Sequence, residues 1–419
     1  MQYIISGSKK LKGEIKLAGN KNSLHLCMAG ALLTKEEVIL ENLPDIRDGD
    51  VLKQILEELG AKVKKDGNSI TIKAEKIKSN LPQDLMIRLR GAIVFVGVLL
   101  ARFGEVHFYF PGGDTIGKRS IDDHIDGLTS LGASFWRKDL EFRAKYKSSD
   151  LNDTVNIFML LSSVTGTANI ILASVLGNRK VVLKNCAQEP QIIDLCKMLV
   201  SMGAKINGIG TDTLIISGVD RLHGTRFRLG VDHIEMGTYA VAAAITNGEV
   251  TINGIDKNSD LDPVLVPLSR FGIIYKRVGS KITFRAKSLT AIEVLKTNIR
   301  PGFPTDLMSA AIVLSTQAQG VTLCHDWMYE SRMFFVDKLI SMGAKIIIAD
   351  PHRVLVYGPT QLRAREVETP DIRAGMALVL AALISKGVSI INKAELIERG
   401  YEDVVGKLSK LGAGIKKIE

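Results

Sequence analysis

The chain repeats itself six times. Gly60, Gly132, Gly203, Gly272, Gly343 and Gly412 each follow a large apolar residue, and they stand 69 to 72 residues apart along the 419-residue sequence. Five of the six sites read Leu/Met-Gly-Ala, as at Leu59-Gly60-Ala61 and Met342-Gly343-Ala344. A period this long marks a supersecondary unit that buries its apolar face only against its neighbours. A second signature keeps phase: Val38, Val106, Val181, Val250, Val321 and Val388 each open a strand after a small-residue apolar segment. Each unit therefore predicts helix, strand, helix, strand, strand. In the helix before the first repeated glycine, Val51, Leu52, Ile55, Leu56 and Leu59 share one face. The glycine ends that helix in the left-handed region, where a side chain is costly. The other helix, such as 91–102 or 375–384, is apolar nearly all round, which predicts full burial. The fold class is therefore α/β, with three units packing apolar helices inside and strands outside, twice over. The expected domains are 21–229, carrying a glycine-rich loop at 111–119, and 1–20 plus 230–419, with a cleft between them. The strands at Tyr3–Ser6 and Gly13–Leu17 fall outside the repeat phase and are expected to pair with the second domain.

Composition narrows the function classes. The formal net charge is +10, which favours anionic partners. No run of five or more like charges occurs, so a basic nucleic-acid tail is not expected. The longest apolar stretch, 91–101, is too short for a membrane span. The N-terminus lacks the charged and then apolar pattern of a secretory leader. Cys27, Cys186, Cys196 and Cys324 are scattered without CxxC spacing, which indicates neither zinc nor a disulfide framework. The expected location is the cytoplasm.

The buried helices share polar starts: Gly19-Asn20-Lys21-Asn22-Ser23, Arg88-Leu89-Arg90, Ser163-Val164-Thr165, Asp232-His233, Pro304-Thr305-Asp306 and Asp371-Ile372-Arg373. Thr305, Asp232 and Asp371 read as ordinary caps. Arg88, Arg90 and Arg373 oppose the helix dipole, and a bound anion would explain them. The loop Pro111-Gly112-Gly113-Asp114-Thr115-Ile116-Gly117-Lys118-Arg119 nearly matches a P-loop, but Arg119 stands where Ser or Thr should hold magnesium. The cluster Asp122-Asp123-His124-Asp126 reads as an acidic first turn rather than a metal site, and no metal or cofactor is expected.

Several of these stretches carry a resemblance that runs end to end: Gly19-Asn20-Lys21-Asn22, Arg90, Pro111-Gly112-Gly113 through Arg119, Glu189-Pro190, Phe303-Pro304-Thr305-Asp306, Glu330-Ser331-Arg332 and Glu398-Arg399-Gly400-Tyr401-Glu402. Together they resemble the UDP-N-acetylglucosamine enolpyruvyl transferases, whose fold is two inside-out α/β domains of three repeats. The resemblance implies transfer of the enolpyruvyl group of phosphoenolpyruvate to the sugar 3-hydroxyl, with loss of phosphate, at the start of peptidoglycan precursor synthesis for the wall that sets cell shape and division. It assigns Lys21 and Arg119 to the phosphate, and Arg332 and Arg399 to the carboxylate. Asp306 takes the hydroxyl proton, Asn22 orients the sugar, and Asp122, Ser163 and Val164 meet the nucleotide sugar. Arg90 and Arg373 line the same anion site, and the loop closes over the substrates. Catalysis falls to Asp114, Asp306, Lys21 and Arg399. The partners are these two small molecules, with neither nucleic acid nor membrane.

Three positions depart from the family pattern. Asp114 stands in place of the usual lid cysteine, the thiol that the epoxide fosfomycin alkylates, so insensitivity is expected. Leu161 stands where the family often has a lysine near the diphosphate, and Leu396 stands near a usual histidine. These losses keep two rivals open on the acceptor side: 3-phosphoshikimate carboxyvinyl transfer, or a paralogue with another acceptor. A DNA sliding clamp is a rival of another class, since it is also pseudo-sixfold, but the repeated helices here are not basic.

Overall fold

A computed structural model describes residues 1–114, 116–146, 154–257 and 259–419. Thr115, within the glycine-rich loop, lies outside the described residues. The chain forms two compact units. One is Gly19–Gly113 with Arg119–Gly230, here the N-terminal unit. The other is Met1–Ala18, Asp114–Lys118 and Val231–Glu419, here the C-terminal unit. Each has its own apolar core.

Three buried helices fill each core. They are Lys21–Gly30, Phe95–Phe103 and Val164–Ser174 in the N-terminal unit. In the C-terminal unit they are His233–Ile245, Met308–Ser315 and Ile372–Ile384. Every residue of His233–Ile245 is buried. A helix with no polar face gains stability only when covered on all sides, at about 1.5–3 kcal/mol per large apolar side chain removed from water. The sheets supply that cover. Strand Glu37–Glu41 turns Val38 and Leu40 inward while Glu37 is exposed, the alternation of a half-buried strand.

The sheet order repeats too. In the first repeat, Lys62–Asp66, Ser69–Lys73 and Glu37–Glu41 pair antiparallel, and Thr225–Arg228 joins in parallel at the far edge. In the fourth repeat, Lys12–Lys16 takes that parallel edge beside Glu249–Asn253. The sixth repeat ends one strand short. Gln2–Ser6 fills the place, lying antiparallel between Val388–Asn392 and Gly414–Ile418.

All six repeated glycines have positive φ, between 91° and 103°. Two helix starts follow the expected caps, Asp232 and Asp371, which each accept two backbone N–H groups, and Asn20 caps helix 21–30 in the same way. Thr305 corrects the expectation. The fifth buried helix opens through a 3-10 turn, Thr305–Leu307, and the Thr305 hydroxyl instead donates to Asp326.

One polar tie crosses the N-terminal core. The Asn169 amide donates to Ile93 O at 2.9 Å and accepts from Gly97 N at 2.7 Å. Helices 95–103 and 164–174 approach so closely that a Cβ on Gly97 would lie 2.3 Å from Asn169 O. His124 completes the tie, 2.7 Å from Asn169 Nδ2 and 3.1 Å from the Thr165 hydroxyl. Burial, helped by the Arg90 charge, pushes its imidazole down to about 3.

Two predictions follow from this packing. An alanine at Gly60 meets Lys76 O at 2.8 Å, whereas one at Gly203 meets only His223 at 3.5 Å. Both pay about 1–2 kcal/mol for positive φ, so Gly60→Ala should destabilise the chain more than Gly203→Ala in urea titrations. Equal costs would show that backbone crowding plays no part. For His124, an unfolded chain takes up a proton near 6.5 that the folded chain refuses until about 3. Stability should therefore fall as pH drops through that window, by up to about 1.4 kcal/mol per unit. His124→Gln should flatten that slope, and an unchanged slope would place the proton elsewhere.

Candidate active site

In the C-terminal unit, two of the expected residues, Arg332 and Arg373, converge on one carboxylate, that of Asp306. Asp306 sits in the turn that opens helix Met308–Ser315. Its Oδ1 accepts from Arg332 Nη2 at 3.1 Å, and its Oδ2 accepts from Arg373 Nη2 at 2.9 Å and Nε at 3.2 Å. Arg332 and Arg373 are 3% and 6% exposed, so both cations have left water. Burial alone would lower their pKa. The Asp306 carboxylate, with its acidic neighbours, more than reverses this and holds both above the ordinary value. Each guanidinium also lies over an aromatic ring, Arg332 over Tyr329 at 5.3 Å and Arg373 over Tyr401 at 5.1 Å. Arg332 Nε and Arg373 Nη1 are buried without a hydrogen-bond partner. Burial raises the pKa of Asp371, the cap of helix 372–384, against the pull of Arg332.

The expectation that Arg373 needs a bound anion is thus corrected, because Asp306 already neutralises it at the helix start. Arg399 closes the 3-10 turn Ala394–Arg399 and donates to Asp114 Oδ1 at 2.6 Å. The neighbours of Asp114 are held as well. Ser331 N donates to Ile116 O, and Lys118 N donates to Glu330 Oε1 at 2.7 Å. Gly117 has φ +135°, and a Cβ there would stand 2.4 Å from Glu330 Oε2.

In the N-terminal unit, Lys21 opens helix 21–30, and its ammonium lies 3.1 Å from the buried Asp48. That carboxylate offsets a cation placed at the unfavourable end of the dipole. Asn22 follows, its N–H bonded to the Asn20 cap. Arg90 also needs no anion to explain it. Its guanidinium donates to Pro111 O at 3.4 Å and Ser120 O at 2.5 Å and lies over Phe110. One side chain therefore grips both ends of the glycine-rich loop. Arg88 is exposed and reaches Gln54. Arg119 is half-buried between the loop and helix Asp122–Ser130. That helix begins three residues beyond Arg119, so Gly117-Lys118 does not run into a helix N-terminus as a P-loop must. Asp122 is exposed in its first turn. Ser163 caps helix 164–174, accepting from Gly166 N, and Val164 is half-buried beside it. His124 spans the starts of these two helices with both ring nitrogens engaged. Leu161 is 40% exposed and Leu160 85%.

Sequence reasoning missed Asp48, Glu330, Tyr329 and Tyr401, each of which holds a cation or the loop. Glu330 and Tyr401 lie inside quoted motifs, but nothing in their spacing reveals which neighbour they touch.

Chemically, the C-terminal cluster offers one carboxylate able to accept a proton, two buried donors aimed at no protein atom, and a further guanidinium shared with Asp114. No helix of the described residues is long and apolar enough to cross a membrane.

Comparison with known proteins shows the family and the fold. The sequence pattern of EPSP synthase (3-phosphoshikimate 1-carboxyvinyltransferase) matches residues 5–408. The UDP-N-acetylglucosamine 1-carboxyvinyltransferase of Borrelia garinii subsp. bavariensis is 42% identical, covering 100% of this chain and 99% of that protein. Its counterpart in Borreliella burgdorferi is 43% identical with the same coverage. Among solved structures, the enolpyruvyl transferase NikO from Streptomyces tendae superposes with a TM-score of 0.87 at 24% identity, covering 99% of this chain and 98% of that one. An EPSP synthase from Acinetobacter baumannii follows at 0.76 and 16%, covering 100% of each chain. The inside-out α/β architecture is thus the enolpyruvyl transferase fold, and the sliding-clamp and P-loop readings fall away. This chain is an enzyme, an enolpyruvyl transferase, and it belongs to the UDP-N-acetylglucosamine 1-carboxyvinyltransferase family.

Proposed function

We propose that the chain transfers the enolpyruvyl group of phosphoenolpyruvate to the 3-hydroxyl of UDP-N-acetylglucosamine, the opening step of peptidoglycan precursor synthesis. The observation that carries this reading is Asp306 held between two buried guanidiniums that still have unpaired N–H groups. Buried donors without partners cost about 1–3 kcal/mol each, and an anionic substrate would relieve that cost.

In this reading Asp306 takes the proton of the sugar hydroxyl as its oxygen bonds to C2 of phosphoenolpyruvate. C3 gains a proton in the same addition. A C3 proton and the phosphate then leave, and the double bond returns. Asp306 is well placed for this because Arg332 and Arg373 fix its orientation, so no rotamer search precedes proton transfer. Arg332 and Arg399 hold the substrate carboxylate, and their planar forks suit bidentate binding. Lys21 and Arg119 take the phosphate, Arg90 keeps the ends of the lid loop in register, and Asn22 orients the sugar. Asp122, Ser163 and Val164 take the nucleotide. Asp114 delivers the C3 proton, for which it must first leave Arg399. That exchange would free Arg399 for the incoming carboxylate.

Leu161, half-exposed beside the Ser163 cap, favours one second reading, an acceptor with less charge near that helix start. A phosphate-release assay offering each acceptor separates the two. Turnover with UDP-N-acetylglucosamine supports the first reading. Turnover with 3-phosphoshikimate alone overturns it.

Asp306→Asn keeps the size of the side chain and one acceptor oxygen but removes the base, and its amide nitrogen cannot accept from Arg373. It should lower kcat by about 10²–10⁴-fold with little change in the KM for phosphoenolpyruvate. A mutant with wild-type kcat would remove Asp306 from catalysis. With fosfomycin, intact-mass spectrometry should find no adduct on the wild-type chain and one adduct on Asp114→Cys. Alkylation of Asp114 itself would overturn the proposed insensitivity.

A further inference from the structure

We propose that Asp326 is a positioning residue for the reaction in which Asp306 acts as the base: its buried carboxylate holds the turn that carries Asp306 and the segment that carries Arg332 at one fixed spacing. Asp326 is fully buried, at 0% exposure. It directly follows the strand Gly320–His325, whose last residue pairs with Arg353. Its backbone is tied one step beyond that pair. Asp326 N donates to His352 O at 2.9 Å, and His352 Nδ1 lies 2.7 Å from Asp326 O. The fifth-repeat sheet therefore fixes where the carboxylate stands.

The two carboxylate oxygens take different partners. Oδ2 accepts from the Thr305 hydroxyl, and Oδ1 accepts from Met328 N at 3.0 Å. Thr305 immediately precedes Asp306, and Met328 opens the segment that ends in Arg332. From that segment Arg332 reaches Asp306 Oδ1 at 3.1 Å, with the Tyr329 ring against its guanidinium. Glu330 and Ser331 of the same segment hold the glycine-rich loop at Lys118 and Ile116. One buried group thus bonds to both sides of the contact between the base and its arginine.

The local alternative for the Thr305 hydroxyl is to cap its own helix. Asn20, Ser163, Asp232 and Asp371 use their side chains in that way. At the fifth buried helix, neither the turn Thr305–Leu307 nor Met308–Ser315 receives a side-chain cap bond. The hydroxyl crosses instead to a carboxylate 21 residues away. A carboxylate taken out of water is costly unless donors meet it, and the donors here come from the two segments that must be held in register. Small misplacement of a reacting group lowers its rate steeply, so this bond acts on Asp306 without touching substrate.

The test is steady-state phosphate release by Thr305→Val and Thr305→Ser, each made in the wild-type chain and in Asp306→Asn. Thr305→Val keeps the shape of the side chain, the Asp326 charge and the Met328 bond, and removes the hydroxyl. It should lower kcat about tenfold while the KM for phosphoenolpyruvate stays within about twofold, and Thr305→Ser should keep the wild-type rate. Thr305→Ala should behave as Thr305→Val, and melting curves show that each chain is folded. In Asp306→Asn no base remains to be placed, so there Thr305→Val should cost less than about twofold. Asp326→Asn can still accept from Met328 N through its oxygen and donate to the Thr305 hydroxyl through its nitrogen. It should therefore stay close to wild type, because the bond and not the charge does the placing. Wild-type kcat in Thr305→Val overturns the proposal, as does an equal loss in both backgrounds or a raised KM with kcat unchanged. So does an impaired Asp326→Asn beside an active Thr305→Val. Failure of the functional reading looks different, since Asp306→Asn itself would then turn over at the wild-type rate.

Discussion

A helix without a polar side has no place on a protein surface, and this chain contains six of them. That constraint organises each unit. Three such helices cover one another, and the half-buried sheets close over what remains. The sheets can be short and alternating because they need only one apolar face. The repeated glycine then turns the chain from an outer helix back into a strand at the tightest point of each repeat.

Burying the helices also buries their starts, and function is built there. A cation at a helix N-terminus is unfavourable by itself, and a buried one is worse. The chain answers each case with a specific partner. Lys21 has Asp48, Arg373 has Asp306, and Arg90 has the carbonyl oxygens of Pro111 and Ser120. At Arg332 and Arg373 the compensation stops short, leaving Nε of the first and Nη1 of the second buried without a hydrogen-bond partner. Complete pairing would maximise stability, whereas incomplete pairing leaves capacity for a substrate. Tyr329 and Tyr401 lie against the two guanidiniums and help to fix the planes of those forks.

How much of this was readable beforehand depended on sequence distance. The repeat, the buried helices and the capping role of Asp232 and Asp371 follow from local pattern, and the structure agrees with them. The cations stood out because they contradict the dipole rule. Their partners did not, since Arg399 and Asp114 are 285 residues apart and Lys118 and Glu330 are 212 apart. Such pairs are set by how whole repeats pack, which no spacing encodes. Thr305 shows the opposite error. Its composition suits a cap, but the preceding Pro304 and the nearby Asp326 draw it into a tighter turn and another bond. The resemblance identified Asp306 as a base, yet the two arginines that orient it emerge only in three dimensions.

The strand Gln2–Ser6 is synthesised more than 380 residues before both of its neighbours, Val388–Asn392 and Gly414–Ile418. All six repeats must be synthesised before this sheet can close. Until then, a nascent chain exposes two unsatisfied strand edges and part of an apolar core, the state most open to chaperones and proteases. The N-terminal unit, with Gly19–Gly113 and Arg119–Gly230, carries no such debt to the chain's far end. Translation thus imposes an order on the two halves of the enzyme, and premature termination anywhere before the last repeat leaves the C-terminal half unable to complete its sixth sheet.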